Sequence, residues 1–398
     1  MPPTDTSTSA PLGSQSCVLQ VTAALGGEGG VERGTLEMAN YIASRGWRSM
    51  VASAGGILVD DVLRGGSEHF ELPLEGKSPS VITTNAFRLK KIIQDNNVSL
   101  VHARSRAPAW SAYMACRMTG TPFITTFHGT YGLQNSLKKH YNSVMVKGQK
   151  VIAISNFIAD HIQANYGVPA HHIRVAHRGF DPRVFNPENV TDQQLEELWE
   201  RWQVPAHTPV IVLPGRLTRW KGHEAFIRAL GTMKGLSWRA VIVGGFDRKH
   251  SFYWQMQELT KQLGIDSRVI FHGNSDNMPA IYSAADIVVS ASIEPEAFGR
   301  VAVEAQSMAR PIIATAHGGA LETVLNGKTG WLVKPCDVSK MALALTDAVT
   351  TDLKKLRKMG AAGREWVECT FTTDKMCAAE FSAYQDVLYP KEREEKSA

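Results

Sequence analysis

The stretch Ile287–Val324, IVVSASIEPEAFGRVAVEAQSMARPIIATAHGGALETV, decides how the rest of the chain is read. It opens on Ile287-Val288-Val289, a branched apolar run ending in small residues, which reads as a strand buried in a parallel sheet. A loop with Glu294, Pro295 and Glu296 follows, and the pattern then predicts a helix over Phe298–Met308. Pro311–Thr315 reads as a second buried strand, and Gly318-Gly319 opens the next helix. With Glu296 at the mouth of the first helix and Glu304 inside it, the helical rise separates the two carboxylates by about 12 Å. That is too far for a shared proton, and beyond the roughly 5–9.5 Å between the paired carboxylates of a glycoside hydrolase. It suits two anchors at opposite ends of one elongated polar ligand. Helix starts at Phe298-Gly299 and Gly318-Gly319 offer unpaired amides and partial positive charge, which favour phosphate. An acid, then amides, then a second acid matches a sugar hydroxyl, a diphosphate and a ribose.

The segment Glu296-Ala-Phe-Gly-Arg-Val-Ala-Val-Glu304 resembles the E-x7-E motif of the retaining, nucleotide-sugar-dependent glycosyltransferases of family 4. Gly318-Gly319-Ala-Leu-Glu322-Thr-Val324 is similar to the G-G-x-x-E-x-V segment that follows it in that family. The resemblance covers about residues 17 to 390. It implies an α/β protein of the GT-B fold: two Rossmann-like domains with parallel sheets, facing across a cleft, and a C-terminal helix crossing back to the N-terminal domain.

Composition is compatible with that size of protein. The chain has 398 residues, 43% hydrophobic and 20% charged, enough for two cores and too many for one typical domain. Cys17, Cys116, Cys336, Cys369 and Cys377 form no C-x-x-C pair, which argues against a disulfide framework or structural zinc and fits a reducing cytoplasm. Residues 1–16 are polar and read as a disordered leader, with neither the basic start nor the apolar core of a signal peptide. No apolar run approaches the roughly 18 residues that suggest a membrane span. The expected location is the cytoplasm, with peripheral contact at the inner face of the cytoplasmic membrane. The net charge of +5 is uneven: residues 1–180 hold 17 Lys and Arg against 11 Asp and Glu, and the remainder is near balance. A basic first half implies an anionic partner, either a phosphorylated acceptor or an anionic membrane, or else an ordinary solvated face. Dispersed basic residues and no binding module argue against nucleic acid.

Alternating strand-like and helix-like segments define an N-terminal, acceptor-side domain over 17–185, with strands near 17–22, 48–54, 97–103, 122–127, 150–154 and 172–177. The first strand leads into Gly26-Gly27-Glu28-Gly29-Gly30-Val31-Glu32, a turn that lets backbone amides approach a ligand. A dinucleotide fingerprint fails here, because Glu32 replaces the third glycine and the second strand ends without an acid for the adenosine ribose. Gly29-Gly30-Val31-Glu32 instead resembles the family's first loop, which implies that Gly29 and Gly30 face the donor. Arg104 and Arg106, at a strand end, suit bidentate pairing with an anionic acceptor, or structural pairing with carboxylates elsewhere. Phe127-His128-Gly129 resembles a family T-x-H-G segment, implying that His128 lies beside the transferred sugar. Lys138-Lys139-His140 reads as an exposed helix face available to a membrane. Ser155 is a candidate N-cap for the helix after it, and His177-Arg178 stand where the family has a Pro-Asn pair.

Residues 186–208 read as a linker, and a nucleotide-sugar-binding domain follows over 209–372. Its strands are expected near 209–215, 239–244, 268–272, 287–292, 311–315 and 330–333. Gly215-Arg216-Leu217-Thr-Arg219-Trp-Lys221-Gly222 resembles the family's G-R-L-x-x-x-K-G, whose Arg and Lys neutralise the diphosphate. Fixed cations aimed at charge growing on a leaving group lower the barrier to its departure, so Arg216 and Lys221 are candidates, with Arg219 a third. The loop with Asp276 is expected to flank the base. The chain contains no D-x-D triplet, so no metal is expected. A last helix, 373–390, would return to the first domain.

The resemblance thus implies a metal-independent retaining hexosyltransferase. Its catalytic residues would be His128, Glu296, Arg216 and Lys221, with Gly29, Gly30, Glu304, Phe298, Gly299, Arg219 and Asp276 binding the nucleotide sugar. Arg104 and Arg106 would hold an anionic, lipid-linked glycan of lipopolysaccharide core or surface polysaccharide, with GDP-mannose as a donor. Two alternatives stay open: a nucleotide-sugar 2-epimerase of GT-B fold, and a non-catalytic nucleotide-sugar or glycan-binding protein.

Overall fold

The computed structural model describes residues 16–27, 29–132, 135–245 and 251–390. The expected leader, apart from Ser16, lies outside them. The chain forms two compact units. Unit 1 takes the chain up to Ala153, Ile162–Arg174 and the chain from Cys377 onward, and unit 2 takes Ile154–His161 and Val175–Met376.

In chain order the first half contains β1 (Cys17–Val21), α1 (Gly30–Ser44), β2 (Arg48–Ser53), α2 (Val59–Arg64), β3 (Glu68–Glu71), α3 (Pro79–Asp95), β4 (Leu100–Ala103) and α4 (Arg106–Thr119). Then come β5 (Phe123–Phe127), α5 (Ser136–Asn142), β6 (Lys150–Ala153), α6 (Asn156–Tyr166) and β7 (Ile173–Val175). Their sheet runs β3-β2-β1-β4-β5-β6-β7, and each pairing among β1 to β6 is parallel, with Leu19 opposite both Met50 and Val101. β1 (CVLQV), β4 (LVHA) and β5 (FITTF) are mostly apolar or β-branched, and every residue of these strands is buried, as a sheet covered on both faces requires. β3 was not expected. Its sequence, EHFE, has exposed glutamates at both ends and lies at the sheet edge, where the hydrophobic signal of a central strand is missing.

The second half contains α7 (Asp192–Arg201), β8 (Val210–Pro214), α8 (His223–Gly231), β9 (Arg239–Val243), α9 (Ser251–Gln262), β10 (Val269–Gly273), α10 (Met278–Ser283) and β11 (Ile287–Ser290). Then come α11 (Arg300–Ser307), β12 (Ile312–Thr315), α12 (Ala320–Thr323), β13 (Gly330–Val333), α13 (Val338–Thr350), α14 (Leu353–Thr370) and α15 (Thr373–Leu388). The sheet order is β10-β9-β8-β11-β12-β13, the doubly wound order whose direction reverses between its first and fourth strands. Its core gathers Ile211, Leu213, Phe226, Trp238, Ile242, Ile287 and Ile313. The stretch 186–208 packs into unit 2, with Trp202 fully buried and its indole N–H donating to Nδ1 of His272 at 3.0 Å. The expected GT-B class is thus observed as two Rossmann-like units, each built on a parallel sheet.

From Cys377 onward the last helix, α15, belongs to unit 1. In unit 1 the buried Arg104 guanidinium meets Glu380 of α15 at 2.5 Å, and both side chains are almost wholly excluded from water. Beside them, His102 is bracketed by the Tyr384 hydroxyl and the Thr126 hydroxyl, each at 2.7 Å. Burial drives its pKa well below the ordinary histidine value, so it stays neutral.

Candidate active site

An open α/β sheet leaves a crevice beyond the carboxyl ends of its strands, at the point where strand order reverses. In unit 2 that point lies between β8 and β11. The two loops leaving these strands carry Gly215–Lys221 and Ala291–Glu296, within the segments singled out in the sequence. The topology therefore brings together residues 75 positions apart.

Lys221 donates from Nζ to Oε1 of Glu296 at 2.7 Å, with both side chains 15% exposed. The Ser292 hydroxyl donates to the same oxygen at 2.5 Å. Ser292 is itself fixed, its carbonyl accepting from the Thr315 hydroxyl at 2.7 Å and His317 Nε2 at 2.8 Å. Lys221 also lies over the Trp220 ring, 4.3 Å from its centroid, where a cation meets the negative face of the π system. Gly222 lets this loop approach β11. Its φ is +74°, and a Cβ there would strike the Ala291 carbonyl. Next to it His223 is fully buried, and burial pulls its pKa down to about 4.

Glu304 lies within α11, 9% exposed. It accepts from the buried Tyr282 hydroxyl at 2.9 Å and from Arg300 at 2.6 Å. Burial, reinforced by the Glu304 charge, drives the Tyr282 pKa well above its ordinary value, so this hydroxyl remains a donor. Ser292 and Tyr282 gave no signal in the sequence. Arg300 could have been found, since a pair four apart on a helix faces the same way.

The helix expected from Phe298 starts at Arg300, with Gly299 as its N-cap at φ +88° and no side-chain cap. The second proposed set of amides needs correction. Only a four-residue helix follows Gly318-Gly319, and the Gly319 N–H donates to the Glu296 carbonyl at 2.8 Å. That amide is spent inside the protein. It interlocks the two motifs: a Cβ at Gly318 would collide with the Glu296 carbonyl, and one at Gly319 with that of Phe298.

Arg216 is exposed and has no carboxylate partner among the described residues. Arg219 points to α9, donating to Gln255 at 3.0 Å and stacking on Phe252 with 5.0 Å to the ring centroid. Asp276 is exposed on the loop after β10. Among the described residues no group of three or more His, Cys, Asp or Glu could hold a metal ion.

The remaining candidates belong to unit 1. Gly29 is the N-cap of α1, and its N–H donates to the Glu32 carboxylate at 3.4 Å; Gly30 opens the helix. His128 follows β5, its backbone N–H donating to the Tyr131 hydroxyl at 3.3 Å. Arg106 is exposed at the start of α4, lying over the Tyr131 ring at 4.1 Å and donating to Asn142 at 3.1 Å. Arg104, expected to meet an acceptor, has none of its surface exposed and is held by Glu380. Its charge is consumed within the fold, so the structural pairing considered for it is the one observed.

The family described as Glycosyltransferase Family 4 matches residues 28–184, and the one described as Glycosyl transferases group 1 matches residues 196–366. The crystal structure of a glycosyltransferase from Rickettsia africae ESF-5 is 38% identical, with a TM-score of 0.86 over 94% of this chain and 99% of that one. A D-inositol 3-phosphate glycosyltransferase from Corynebacterium aurimucosum is 33% identical over 204 residues, which are 50% of this chain and 48% of that protein. A GDP-mannose-dependent alpha-(1-6)-phosphatidylinositol monomannoside mannosyltransferase from Mycobacterium tuberculosis is 26% identical over 305 residues, 73% of this chain and 77% of that protein.

Proposed function

The chain belongs to glycosyltransferase family 4, and on that premise we propose that it moves a hexose from a nucleotide-diphosphate sugar to an acceptor hydroxyl with retention at the anomeric carbon. The observation that carries this reading is the Lys221–Glu296 pair, braced by Ser292 at the switch point of unit 2. An ammonium and a carboxylate held in one geometry serve the two halves of a sugar diphosphate, one for phosphate oxygens and one for sugar hydroxyls.

In the proposed reaction the bond between the anomeric carbon and the diphosphate oxygen breaks, and negative charge grows on the departing nucleoside diphosphate. Lys221 and Arg216 stabilise that charge, with the amides at Phe298-Gly299. The acceptor oxygen bonds to the same face of the anomeric carbon and passes its proton to the departing phosphate. Glu296 orients the sugar and Glu304 the ribose. The cations carry the charge in this scheme, and no divalent ion is assigned a part.

GDP-mannose is the proposed donor, supported by the mycobacterial relative, a GDP-mannose-dependent mannosyltransferase. The proposed acceptor is an anionic, lipid-linked glycan of lipopolysaccharide core or surface polysaccharide, met at the cytoplasmic face of the membrane. Its support is the basic excess of residues 1–180 and the exposed Arg106, Leu137, Lys138 and Lys139. Among the described residues no helix is long and apolar enough to cross a membrane.

The test is a thermal-shift panel of UDP, GDP, ADP and their sugar conjugates without metal, followed by NMR assignment of the product's anomeric configuration. A ligand at 100 times its Kd adds about 2.7 kcal/mol, a visible rise in Tm. One nucleotide standing out supports the reading. Silence across the panel, persisting after Mg2+ is added, overturns it, and an inverted product overturns retention.

A further inference from the structure

The glutamate of the second motif, Glu322, has no part in the reaction described above, yet it is among the most heavily bonded carboxylates of unit 2. Its Oε1 accepts the backbone N–H of Phe157 at 2.7 Å. Its Oε2 accepts the backbone N–H and the side-chain amide of Asn156, each at 2.8 Å, and meets His177 Nε2 at 2.8 Å. These are the first amides of α6, so Glu322 supplies from a distant loop the negative charge that a helix start favours. Burial raises its pKa, but His177 and the two amides outweigh that effect and hold it below the ordinary carboxylate value. The expected cap is also present, as the Ser155 hydroxyl accepts from the Ile158 N–H at 3.1 Å.

Ser155 has a second bond, and it leads to the donor loop. Its hydroxyl donates to the Ala297 carbonyl at 2.5 Å, one residue after Glu296. The adjoining Phe298 ring lies 6.4 Å from His177 and 5.5 Å from Phe371, which are themselves 5.4 Å apart. The Glu296 carbonyl is held by Gly319, and Gly319 leads into α12, which carries Glu322. Three consecutive residues, Glu296, Ala297 and Phe298, are therefore each held by a separate tie. All of these ties run back to the start of α6, to His177, to Phe371 or to α12.

We infer that Ser155, Glu322 and His177 are positioning residues for the transferred sugar. They touch no reacting atom and act by fixing the tilt of the Glu296–Phe298 loop. This inference rests on the proposed transferase reading, in which Glu296 meets the sugar hydroxyls. The diphosphate cations and Glu304 stand on other supports, β8 with its loop and the body of α11. The Phe298-Gly299 amides are the part of the proposed diphosphate grip that shares this loop, so loosening these ties blurs sugar recognition more than it weakens the nucleotide grip.

The test measures Ser155→Ala and Glu322→Gln, two small changes that keep side-chain volume nearly constant. The readout is the ratio of kcat/KM for two donors that share a nucleotide and differ at one sugar carbon. GDP-mannose against GDP-glucose serves if guanine is bound, and UDP-glucose against UDP-galactose if uracil is. Slow hydrolysis of the sugar nucleotide suffices, so no acceptor is needed. Partial unfolding lowers the active fraction for both donors alike and cannot move this ratio. The expected result is a loss of discrimination of about tenfold, with the Kd of the free nucleoside diphosphate within threefold of the unaltered protein. An unchanged ratio in both variants, in a protein that turns over its donor, overturns the positioning role alone. Absence of donor binding and turnover in the unaltered protein overturns the transferase reading, and this inference with it.

Discussion

Lys221 holds a carboxylate oxygen of Glu296 at 2.7 Å, although the two residues leave different strands and lie 75 positions apart. The pair lets a basic loop and an acidic loop share one crevice without either charge standing alone. Replacing Lys221 by Ala removes a charged donor proposed to reach phosphate. A hydrogen bond to a charged group contributes about 1.5–3 kcal/mol, so the Kd for the cognate nucleoside diphosphate should rise about 10- to 100-fold by calorimetry. Unaltered affinity would remove Lys221 from the site.

Tyr282→Phe keeps the shape of a fully buried ring and removes one of two donors to Glu304. A carboxylate 9% exposed cannot replace that donor with bulk water at no cost. The urea midpoint should fall by the equivalent of about 1.5–3 kcal/mol, and nucleotide affinity should weaken with it if Glu304 binds the ribose. A variant as stable as the parent would show that Arg300 alone satisfies Glu304.

His223 sets a pH dependence. Its folded pKa is depressed to about 4 by burial, while the unfolded chain binds its proton near pH 6.5. Between those values the unfolded state carries more protons, so stability is fully present above about pH 6.5 and falls as pH drops toward 4. This residue alone should lower stability by about 2 kcal/mol between pH 7.5 and pH 5. Urea unfolding of His223→Asn across this range should show a correspondingly shallower slope. An equal slope would mean that His223 gains its proton without disturbing the fold.

The Arg104–Glu380 pair calls for a double-mutant cycle. Leaving either charge buried alone should cost about 3–5 kcal/mol, whereas exchanging both for apolar residues of similar size is often neutral or stabilising. Arg104→Met and Glu380→Leu should each lower the denaturation midpoint strongly, and the double variant should recover most of the loss. Additive losses would show that the two charges are not energetically joined.

Much of the fold was legible because its signals are local. The apolar runs of β8, β11 and β12 announce themselves, and α15 was expected to begin at Thr373, where it does. The edge strand β3 escaped because polar residues at a sheet margin carry no hydrophobic pattern. In the candidate site, Lys221 and Glu296 could be named from motif spacing, but Ser292 could not, since nothing in a sequence marks a serine as facing a carboxylate. Arg104 shows the harder case. A charged residue after a strand reads as exposed, and only a partner 276 residues later makes its burial tolerable. Glu322 was recognisable as a motif letter, while its bonds to the amides of Asn156 and Phe157 depend wholly on tertiary structure.

Unit 1 takes α15 from Cys377 onward, and the chain reaches those residues only after passing through Val175–Met376. At about 5–20 residues per second, a ribosome needs roughly 10–40 s to make that intervening stretch. Throughout that interval Arg104 has no Glu380 and His102 no Tyr384, so the first-made sheet waits with a charged side chain and an uncovered face. The order of synthesis runs against the usual N-terminal-first order of domain folding, because unit 1 is completed by residues that follow Val175–Met376 in the chain.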